Sequence, residues 1–226
     1  MVALGALAGL WVFRREIARA GLPDAAVDAA IYGLVGGLVG AKLLYVFEHL
    51  DEGSFFGLLL DRGGMSWFGG FAGGLAAGYA TIVAKRWPLL PVLAAATPAL
   101  AVGQMLGRIG CFLVGDDYGH PTSLPWGVAF PQGLPPTTEP VHPTQIYEAI
   151  FLAIFAWVLL RWRRASVPDR IVLGRYFVGV GAFRFALEFV RVNTRVLGPL
   201  TVAHLFSLAV VLLGVTLLLR VPRTRA

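Results

Sequence analysis

The sequence predicts an all-α, polytopic membrane protein with about seven transmembrane helices, and three observations carry the prediction. Hydrophobic residues make up 57% of the 226 residues and charged residues only 14%, against roughly 45–50% and 25% in soluble domains. The mean hydropathy is +0.72. Apolar runs close to the length of a membrane span, about 20 residues, recur along the chain. Residues 1–226 are therefore expected to form a single integral membrane domain.

The apolar runs are separated by charged or Pro/Gly-rich breaks, and they lie at 1–13, 26–47, 65–84, 88–107, 143–160, 172–190 and 200–219. The first run is short, because at about 1.5 Å per residue it covers roughly 20 Å of a hydrocarbon core about 30 Å thick. We therefore expect this helix to begin inside the membrane or the chain to extend upstream of Met1. A cleaved signal peptide is disfavoured, since no basic residue precedes the run and no small-residue cleavage site follows it.

The lysines and arginines predict the orientation, because short cytoplasmic loops carry an excess of them. Thirteen of the 19 follow odd-numbered spans: Arg14, Arg15, Arg19, Lys85, Arg86, Arg161, Arg163, Arg164, Arg170, Arg175, Arg220, Arg223 and Arg225. The N-terminus is therefore expected outside, the C-terminus in the cytoplasm and the 108–141 connection on the extracytoplasmic face. The pI of about 10.0 is then a topology signal, and nucleic acid is not an expected partner.

Six cations break this pattern: Lys42, Arg62, Arg108, Arg184, Arg191 and Arg195. Arg62 is expected to be a solvated loop charge, but a charge within a membrane helix costs about 2.5–3.5 kcal/mol and needs compensation. Arg184, Glu188 and Arg191 are spaced to share one helical face, which fits a structural Arg-Glu-Arg ladder. The other interpretation is an anionic ligand, because few acids are embedded and the arginine fork fits phosphate oxygens. A phospholipid headgroup is the most abundant candidate.

Spans two and three carry glycines at the spacing that allows helices to approach closely: Gly33, Gly36, Gly37, Gly40, Gly69, Gly70, Gly73, Gly74 and Gly78. Most are expected to be packing residues. The run 63–70, at the start of span three, is also a candidate wall of a ligand cavity.

Span four ends in the run 107–119, where four glycines in 13 residues predict tight turns beside apolar residues, as in a re-entrant segment. A proline-rich stretch follows, with Trp126 expected at the membrane interface. His142 and Pro143 open span five, and we expect Gln145 and Glu148 to point deeper.

Familiar nucleophile and metal motifs are absent from the sequence, which contains no G-x-S-x-G, H-E-x-x-H or C-x-x-C. The four histidines are scattered, so no metal is expected. Cys111, the single cysteine, is expected to be a small packing residue rather than a nucleophile.

Several motifs combine along the chain: Arg14-Arg15, the runs 40–45, 64–66, 107–119 and 142–148, Phe183-Arg184-Phe185, the run 188–191 and Leu200-Thr201. Together they resemble the prolipoprotein diacylglyceryl transferase family of bacterial inner membranes. The resemblance implies seven helices in the orientation given above. It also implies transfer of diacylglyceryl from phosphatidylglycerol to the lipobox cysteine thiol of a prolipoprotein, with release of glycerol phosphate and without a cofactor.

The implied reaction needs stabilisation of charge on the phosphate and a deprotonated thiol. We expect Arg108 and Arg184 to serve the phosphate, and His142, Asp116 or Glu148 to accept or relay the thiol proton. Substrate-binding residues are expected at Lys42, Tyr45, Ser66, Gly69, Gly70, Gly110, Gly115, Gln145, Tyr147, Glu188 and Arg191.

The chain departs from the family pattern at Lys42, Phe68, Cys111, Asp116 and Val180, where members often have Arg, His, Asn, Glu and Tyr. These departures leave an alternative, a non-catalytic or divergent paralogue that binds anionic phospholipid. A small transporter or channel is disfavoured because the sequence shows no convincing internal repeat.

Overall fold

The computed structural model describes residues 1–61 and 63–220, so Arg62, Arg223 and Arg225 lie outside the described residues. Eight α-helices occupy the described part: α1 (Val2–Arg19), α2 (Asp28–Glu48), α3 (Phe55–Leu60), α4 (Trp67–Ala84), α5 (Leu89–Val114), α6 (Thr144–Arg164), α7 (Asp169–Glu188) and α8 (Val202–Leu219). Two antiparallel pairs accompany them: β1 (Val128–Phe130) with β2 (Thr137–Val141), and β3 (Arg195–Leu197) with β4 (Leu200–Thr201). The fold is therefore mostly helical, with two small sheets that the all-α prediction omitted.

Within the described ranges, five helical segments are long and apolar enough to cross a membrane: Asp24–Glu48, which joins a 3-10 turn to α2, and α4, α5, α6 and α8. Predicted spans one and six are also helices, α1 and α7. Charged residues cluster at the end of α1 and at both ends of α7, which keeps these two below the apolarity of the other five. A polytopic membrane protein is what such a set of helices indicates.

Helix α1 extends past its predicted end at residue 13 because arginine and glutamate are good helix formers. It stops where Gly21 adopts the left-handed conformation, with φ of 67°. The amide of Leu22 donates to the carbonyl of Ile17 at 3.1 Å, as in a helix end capped by glycine.

Helix α5 also runs further than predicted, to Val114. The prediction of a re-entrant segment is therefore wrong, because Arg108 and Gly110 lie within this continuous helix. The helix ends at Gly115, whose φ is 75° and whose amide donates to the carbonyl of Cys111 at 2.9 Å. The predicted turns, and the connection expected at 108–141, thus begin only after the helix, at residue 115.

The chain divides into two compact units, one comprising Phe13–Val92 and the other Met1–Val12 with the described residues from Leu93 onward. The single domain expected for residues 1–226 stays a prediction.

In the Phe13–Val92 unit, α2 and α4 pack through the predicted glycines. A Cβ atom on Gly36 would lie 2.7 Å from the carbonyl oxygen of Gly73, and one on Gly40 would lie 3.0 Å from the Gly73 Cα. Backbone meets backbone at this interface, as the spacing of small residues predicted.

In the other unit, α6 and α7 form an apolar core that includes Leu152, Leu159, Val172 and Tyr176. Helix α8 packs on α7 through small residues: a Cβ on Gly181 would lie 2.9 Å from the carbonyl oxygen of Ser207. Glu148 lies near the start of α6, and Glu188 ends α7.

Candidate active site

Three arginines and three carboxylates meet near the ends of α5 and α7 and the start of α6. We call them the charge cluster: Arg108, Arg184, Arg191, Asp117, Glu148 and Glu188. Arg108, on α5, places its Nε 2.9 Å from Oε2 of Glu148 on α6. The other oxygen of Glu148 accepts a hydrogen bond from Gln104 at 3.2 Å. Glu148 is only 4% exposed, so this carboxylate is a buried counter-ion of Arg108.

A second ion pair lies at the end of α7, where Arg184 Nη1 is 2.5 Å from Oε2 of Glu188. The other oxygen of Glu188 accepts hydrogen bonds from Thr201 Oγ1 at 2.6 Å and Asn193 Nδ2 at 2.7 Å. Arg191 follows the helix, with its Nε 3.9 Å from Glu188 Oε2. The predicted Arg-Glu-Arg ladder is present, although its last arginine lies beyond the end of the helix.

Asp117 joins the two groups by bridging two guanidinium groups. Its Oδ2 accepts from Arg108 Nη1 at 2.7 Å and its Oδ1 accepts from Arg191 Nη2 at 2.5 Å. Burial alone would raise the pKa of Asp117, but the charges of Arg191 and Arg108 hold that pKa below its usual value. With Asp117 included, the acids of the cluster balance its three arginines.

The sequence predicted an excess of positive charge, because Glu148 and Glu188 were the chief acids found in the apolar runs. The three arginines of the cluster are instead matched by three carboxylates. Asp117 was missed because an acid in a polar loop is usually solvated. The signal available in the sequence was its position directly after Asp116, inside the glycine-rich run.

The start of α6 is tied to the segment that follows α5. Gln145 Nε2 donates to the backbone carbonyl of Asp116 at 2.5 Å, and Thr144 Oγ1 donates to that of Asp117 at 2.7 Å. Both α6 side chains are fully buried. They therefore hold the two aspartates in place through the backbone.

His142 lies just before α6, at one end of a short chain of polar contacts. Its Nδ1 is 3.2 Å from the hydroxyl of Tyr147, which accepts a hydrogen bond from Trp126 Nε1 at 2.8 Å. A groove of about 380 Å³ runs beside these rings, and Phe112 and Ile150 are among its lining residues. Trp126 was expected at a membrane interface, and its contact with Tyr147 was not predicted.

Several buried polar atoms in this region have no hydrogen-bond partner among the described residues: Asp116 Oδ1, Gln145 Oε1 and Arg191 Nη1. Because buried polar groups are nearly always paired in folded proteins, these atoms indicate places for a ligand or water. One is a cationic donor and two are acceptors, which suits a ligand with both anionic and hydroxyl or thiol groups.

Among the residues that the structure describes, one group could be considered for a metal ion, because ligand atoms of Cys111, Asp116 and Asp117 lie within 4.8 Å of one another. Both oxygens of Asp117 already accept from arginines. Two guanidinium groups beside the same carboxylate oppose a bound cation, so this group is a poor metal site.

In the Phe13–Val92 unit, Lys42 donates to the backbone carbonyls of Asp61 at 2.8 Å and Gly63 at 2.7 Å. The ring of Tyr45 stacks on His49 with 4.2 Å between ring centroids. The ammonium group of Lys42 is thus compensated by the loop that precedes α4.

A cavity of about 430 Å³ lies at the start of α4 and is lined by Ala41, Met65, Ser66, Trp67, Gly70 and Phe71. Two of the predicted binding residues, Ser66 and Gly70, form part of its wall. Gly69 instead packs against Gly40 of α2.

Comparison with known proteins sets this geometry in a family. The profile described as prolipoprotein diacylglyceryl transferase matches residues 1–220. The chain belongs to this family. It is 34% identical over 223 residues to the phosphatidylglycerol–prolipoprotein diacylglyceryl transferase of Clostridium tetani, covering 95% of this chain and 88% of that protein.

Two further relatives carry the same name. The chain is 34% identical to the Geobacter sulfurreducens protein over 239 residues, covering 100% of this chain and 90% of the relative. It is 34% identical to the Methylococcus capsulatus protein over 227 residues, with 94% and 86% covered. The resemblance seen in the sequence motifs is therefore confirmed.

As a member of the prolipoprotein diacylglyceryl transferase family, the chain carries most of its predicted site residues in the unit that holds the charge cluster: Arg108, Gly110, Gly115, Asp116, His142, Gln145, Tyr147, Glu148, Arg184, Glu188 and Arg191. Lys42, Tyr45, Ser66, Gly69 and Gly70 lie in the Phe13–Val92 unit. Gly110 packs against Met1 and Gly115 ends α5, so both shape the backbone, and their contact with substrate stays a prediction.

Two further residues, Thr201 and Asn193, contact the charge cluster. The sequence predicted no role in the site for either of them. Thr201 caps α8 by accepting from the amide of His204 and also donates to Glu188. Asn193 donates to the same carboxylate. Their signal was weak, because a Thr before an apolar run predicts only a helix cap.

Proposed function

We propose that this chain transfers diacylglyceryl from phosphatidylglycerol to the lipobox cysteine thiol of prolipoprotein signal peptides and releases glycerol phosphate. The observation that carries the proposal is the cluster of three arginines, two of which hold the partly exposed carboxylate of Asp117, in a chain whose relatives are named for this reaction. The expectation that no cofactor is needed remains part of the proposal.

The reaction forms a bond from the thiolate sulfur to the sn-3 carbon of the lipid glycerol and breaks the bond from that carbon to the phosphate oxygen. The electron pair of the broken bond goes to the phosphate. Arg108 and Arg184 are fixed cations in the last two turns of α5 and α7, and in a site of low polarity they stabilise the charge that develops on the leaving oxygen. Arg191 supplies a third guanidinium group.

The thiol proton needs an acceptor. The three predicted candidates, Glu148, Asp116 and His142, differ in their hydrogen-bond partners. Glu148 has one oxygen beside Arg108 and the other on Gln104, so its role is to anchor the arginine. Asp116 keeps a buried oxygen without a hydrogen-bond partner in the described part of the chain. His142 has its Nδ1 near the Tyr147 hydroxyl and its ring edge-on to the Tyr147 ring, and no acid holds it among the described residues. We therefore assign proton acceptance to Asp116 or His142.

The proposed setting is the bacterial inner membrane, crossed seven times, with the N-terminus outside and the C-terminus in the cytoplasm. Support comes from the helices found at all seven predicted spans and from the cations that follow odd-numbered spans. The charge cluster would then lie on the extracytoplasmic side, where prolipoproteins emerge.

The test is a transfer assay with the full chain in vesicles containing phosphatidylglycerol and a peptide that carries a lipobox cysteine. The expected product is a peptide whose mass is increased by one diacylglyceryl group. The same peptide with Ser in place of Cys should remain unmodified. Arg108→Ala should abolish the product, whereas Arg195→Ala, which removes an exposed cation on β3, should retain it.

A wild-type chain that leaves the cysteine peptide unmodified would overturn the proposal. If that chain still binds vesicles rich in phosphatidylglycerol better than neutral ones, the lipid-binding paralogue becomes the better interpretation. Complementation of a bacterial strain depleted of its own transferase provides the matching test in cells.

A further inference from the structure

The carboxylate of Asp117 lies between two arginines in the way a phosphate would lie. One oxygen accepts from Arg108 at 2.7 Å and the other from Arg191 at 2.5 Å. Arginine pairs with phosphate oxygens in the same charge-assisted manner as with carboxylate oxygens. Asp117 therefore occupies the position between these guanidinium groups that an anionic headgroup would need.

Asp117 is also the most accessible acid of the cluster. Its side chain is 43% exposed, whereas that of Glu148 is 5% exposed and that of Glu188 is fully buried. Its backbone carbonyl is held by Thr144 Oγ1. The carboxylate can therefore rotate away from the arginines while the backbone stays in place.

Arg191, one of the two arginines that Asp117 contacts, can donate a further hydrogen bond. The side chain of Arg191 is only 7% exposed, and its Nη1 has no hydrogen-bond partner in the described ranges. A carboxylate has two oxygens and both are engaged here, whereas a phosphate offers more acceptors. A phosphate in this position would supply the acceptor that Asp117 cannot.

We propose that Asp117 is an internal counter-ion that the lipid phosphate displaces, and that its negative charge then hastens release of the glycerol phosphate product. The proposal rests on the function proposed above. A phosphodiester lipid carries one negative charge, whereas a phosphate monoester carries about −1.5 to −2 at pH 7. Repulsion by Asp117 is therefore stronger for the product than for the substrate.

The test is Asp117→Asn, because asparagine has nearly the same shape and tolerates the positive φ of 62° at this position. Transfer is measured while the mole fraction of phosphatidylglycerol in phosphatidylcholine vesicles is varied, with and without added glycerol phosphate. We expect KM for the lipid to fall about threefold, and the inhibition constant of glycerol phosphate to fall about tenfold, as expected for loss of one partly screened charge.

The matched control is Glu139→Gln, which removes one negative charge from an exposed position on β2 of the same unit. It should change neither constant. An unchanged or higher KM for Asp117→Asn, or an equal response in the control, would overturn the counter-ion role.

A binding measurement keeps the proposal testable without turnover. Calorimetric titration of the detergent-solubilised chain with glycerol phosphate should show tighter binding by Asp117→Asn than by the wild type, and Asp117→Gly, which also suits the positive φ, should behave alike. Equal or weaker binding by both variants would contradict the proposal. Tighter binding in a chain that transfers no diacylglyceryl would instead support the counter-ion and overturn the proposed function alone.

Discussion

Arg108 and Glu148 come from different helices, yet Nε of the arginine lies 2.9 Å from Oε2 of the carboxylate. Gln104, which lies one helical turn before Arg108 on α5, donates to the other oxygen of Glu148. The pair thus fixes α5 to α6 at the level of the charge cluster. It also explains how a membrane helix can carry an arginine, because the counter-ion is already present within the protein.

Removal of one partner of this pair should be more harmful than removal of both. Glu148→Gln leaves the guanidinium group without its buried counter-ion, so we expect the free energy of unfolding to fall by about 3 kcal/mol. The double variant Arg108→Met/Glu148→Leu should recover most of this stability yet remain inactive in transfer. Thermal unfolding in detergent measures the first effect and the transfer assay the second. Equal stability of the single and double variants would contradict the role of Glu148 as an anchor.

Variants of Arg184 distinguish a catalytic role of this arginine from a purely structural role in the Arg-Glu-Arg ladder. Glu188 keeps its contacts with Thr201 and Asn193 when Arg184 is removed, so Arg184→Ala should still fold. We expect its transfer rate to fall by a factor equivalent to about 2–4 kcal/mol, and Arg184→Lys to lose most activity because the planar fork is gone. Near-normal turnover by Arg184→Ala at unchanged protein levels would favour the ladder.

The ion pairs of Asp117 should persist in mild acid. Its pKa is held below the usual value of 3.8, and a carboxylate with a lowered pKa contributes stability above its unfolded pKa and loses it as pH falls through the folded pKa. The difference in melting temperature between the wild type and Asp117→Asn should therefore be constant from pH 7 down to about 5. It should shrink only below about pH 3.8. Loss of the difference already near pH 5 would show that the pairing is weaker than its geometry indicates.

The interface of α2 and α4 offers a pair of glycines that differ in the space around them. A Cβ on Gly36 would lie 2.7 Å from the Gly73 carbonyl oxygen, whereas one on Gly33 would lie 3.4 Å from that of Gly74. Gly36→Ala should therefore destabilise the protein by about 1–3 kcal/mol. Gly33→Ala should be neutral or slightly stabilising because alanine favours helices. Similar melting temperatures for the two variants would exclude the tight contact.

The proposed topology predicts which introduced thiols react from outside the cell. In a Cys111→Ser background, Gln132→Cys in the connection between β1 and β2 should be labelled by an impermeant reagent on intact cells. Ala165→Cys, which follows α6, should be labelled only after the membrane is permeabilised. Both positions are exposed. Labelling of position 165 but not 132 on intact cells would reverse the orientation.

The existence of the seven long helices and most residues of the charge cluster could be predicted from the sequence, because hydropathy and charges within apolar runs are local signals. Arg108, Glu148, Arg184 and Glu188 stand out as charges in apolar runs, whatever their partners. Asp117 does not stand out, since its importance depends on where Arg191 lies after folding. Only contacts between residues distant in the chain distinguish this acid from a solvated one.

The ends of the helices and the two small sheets could not be predicted from the sequence either. Gly107 and Gly110 look like breaks, yet glycine is tolerated within membrane helices, and α5 continues through both. The pairing of β1 with β2 depends on residues brought together across a proline-rich loop, where no alternation of polar and apolar residues marks a strand.

The backbone around the cluster has a consequence for how such a sequence can change over time. The amide of Gly119 donates to the carbonyl of His142 at 2.9 Å, and that of His120 donates to the carbonyl of Val190 at 2.8 Å. Main-chain groups are present whichever side chain a residue carries. Most side chains near these two hydrogen bonds can therefore change by mutation while the backbone at residues 119–120, 142 and 190 stays aligned. Gly119 is the exception, because a Cβ there would lie 2.6 Å from the carbonyl oxygen of Val190, and we expect selection to keep it as glycine.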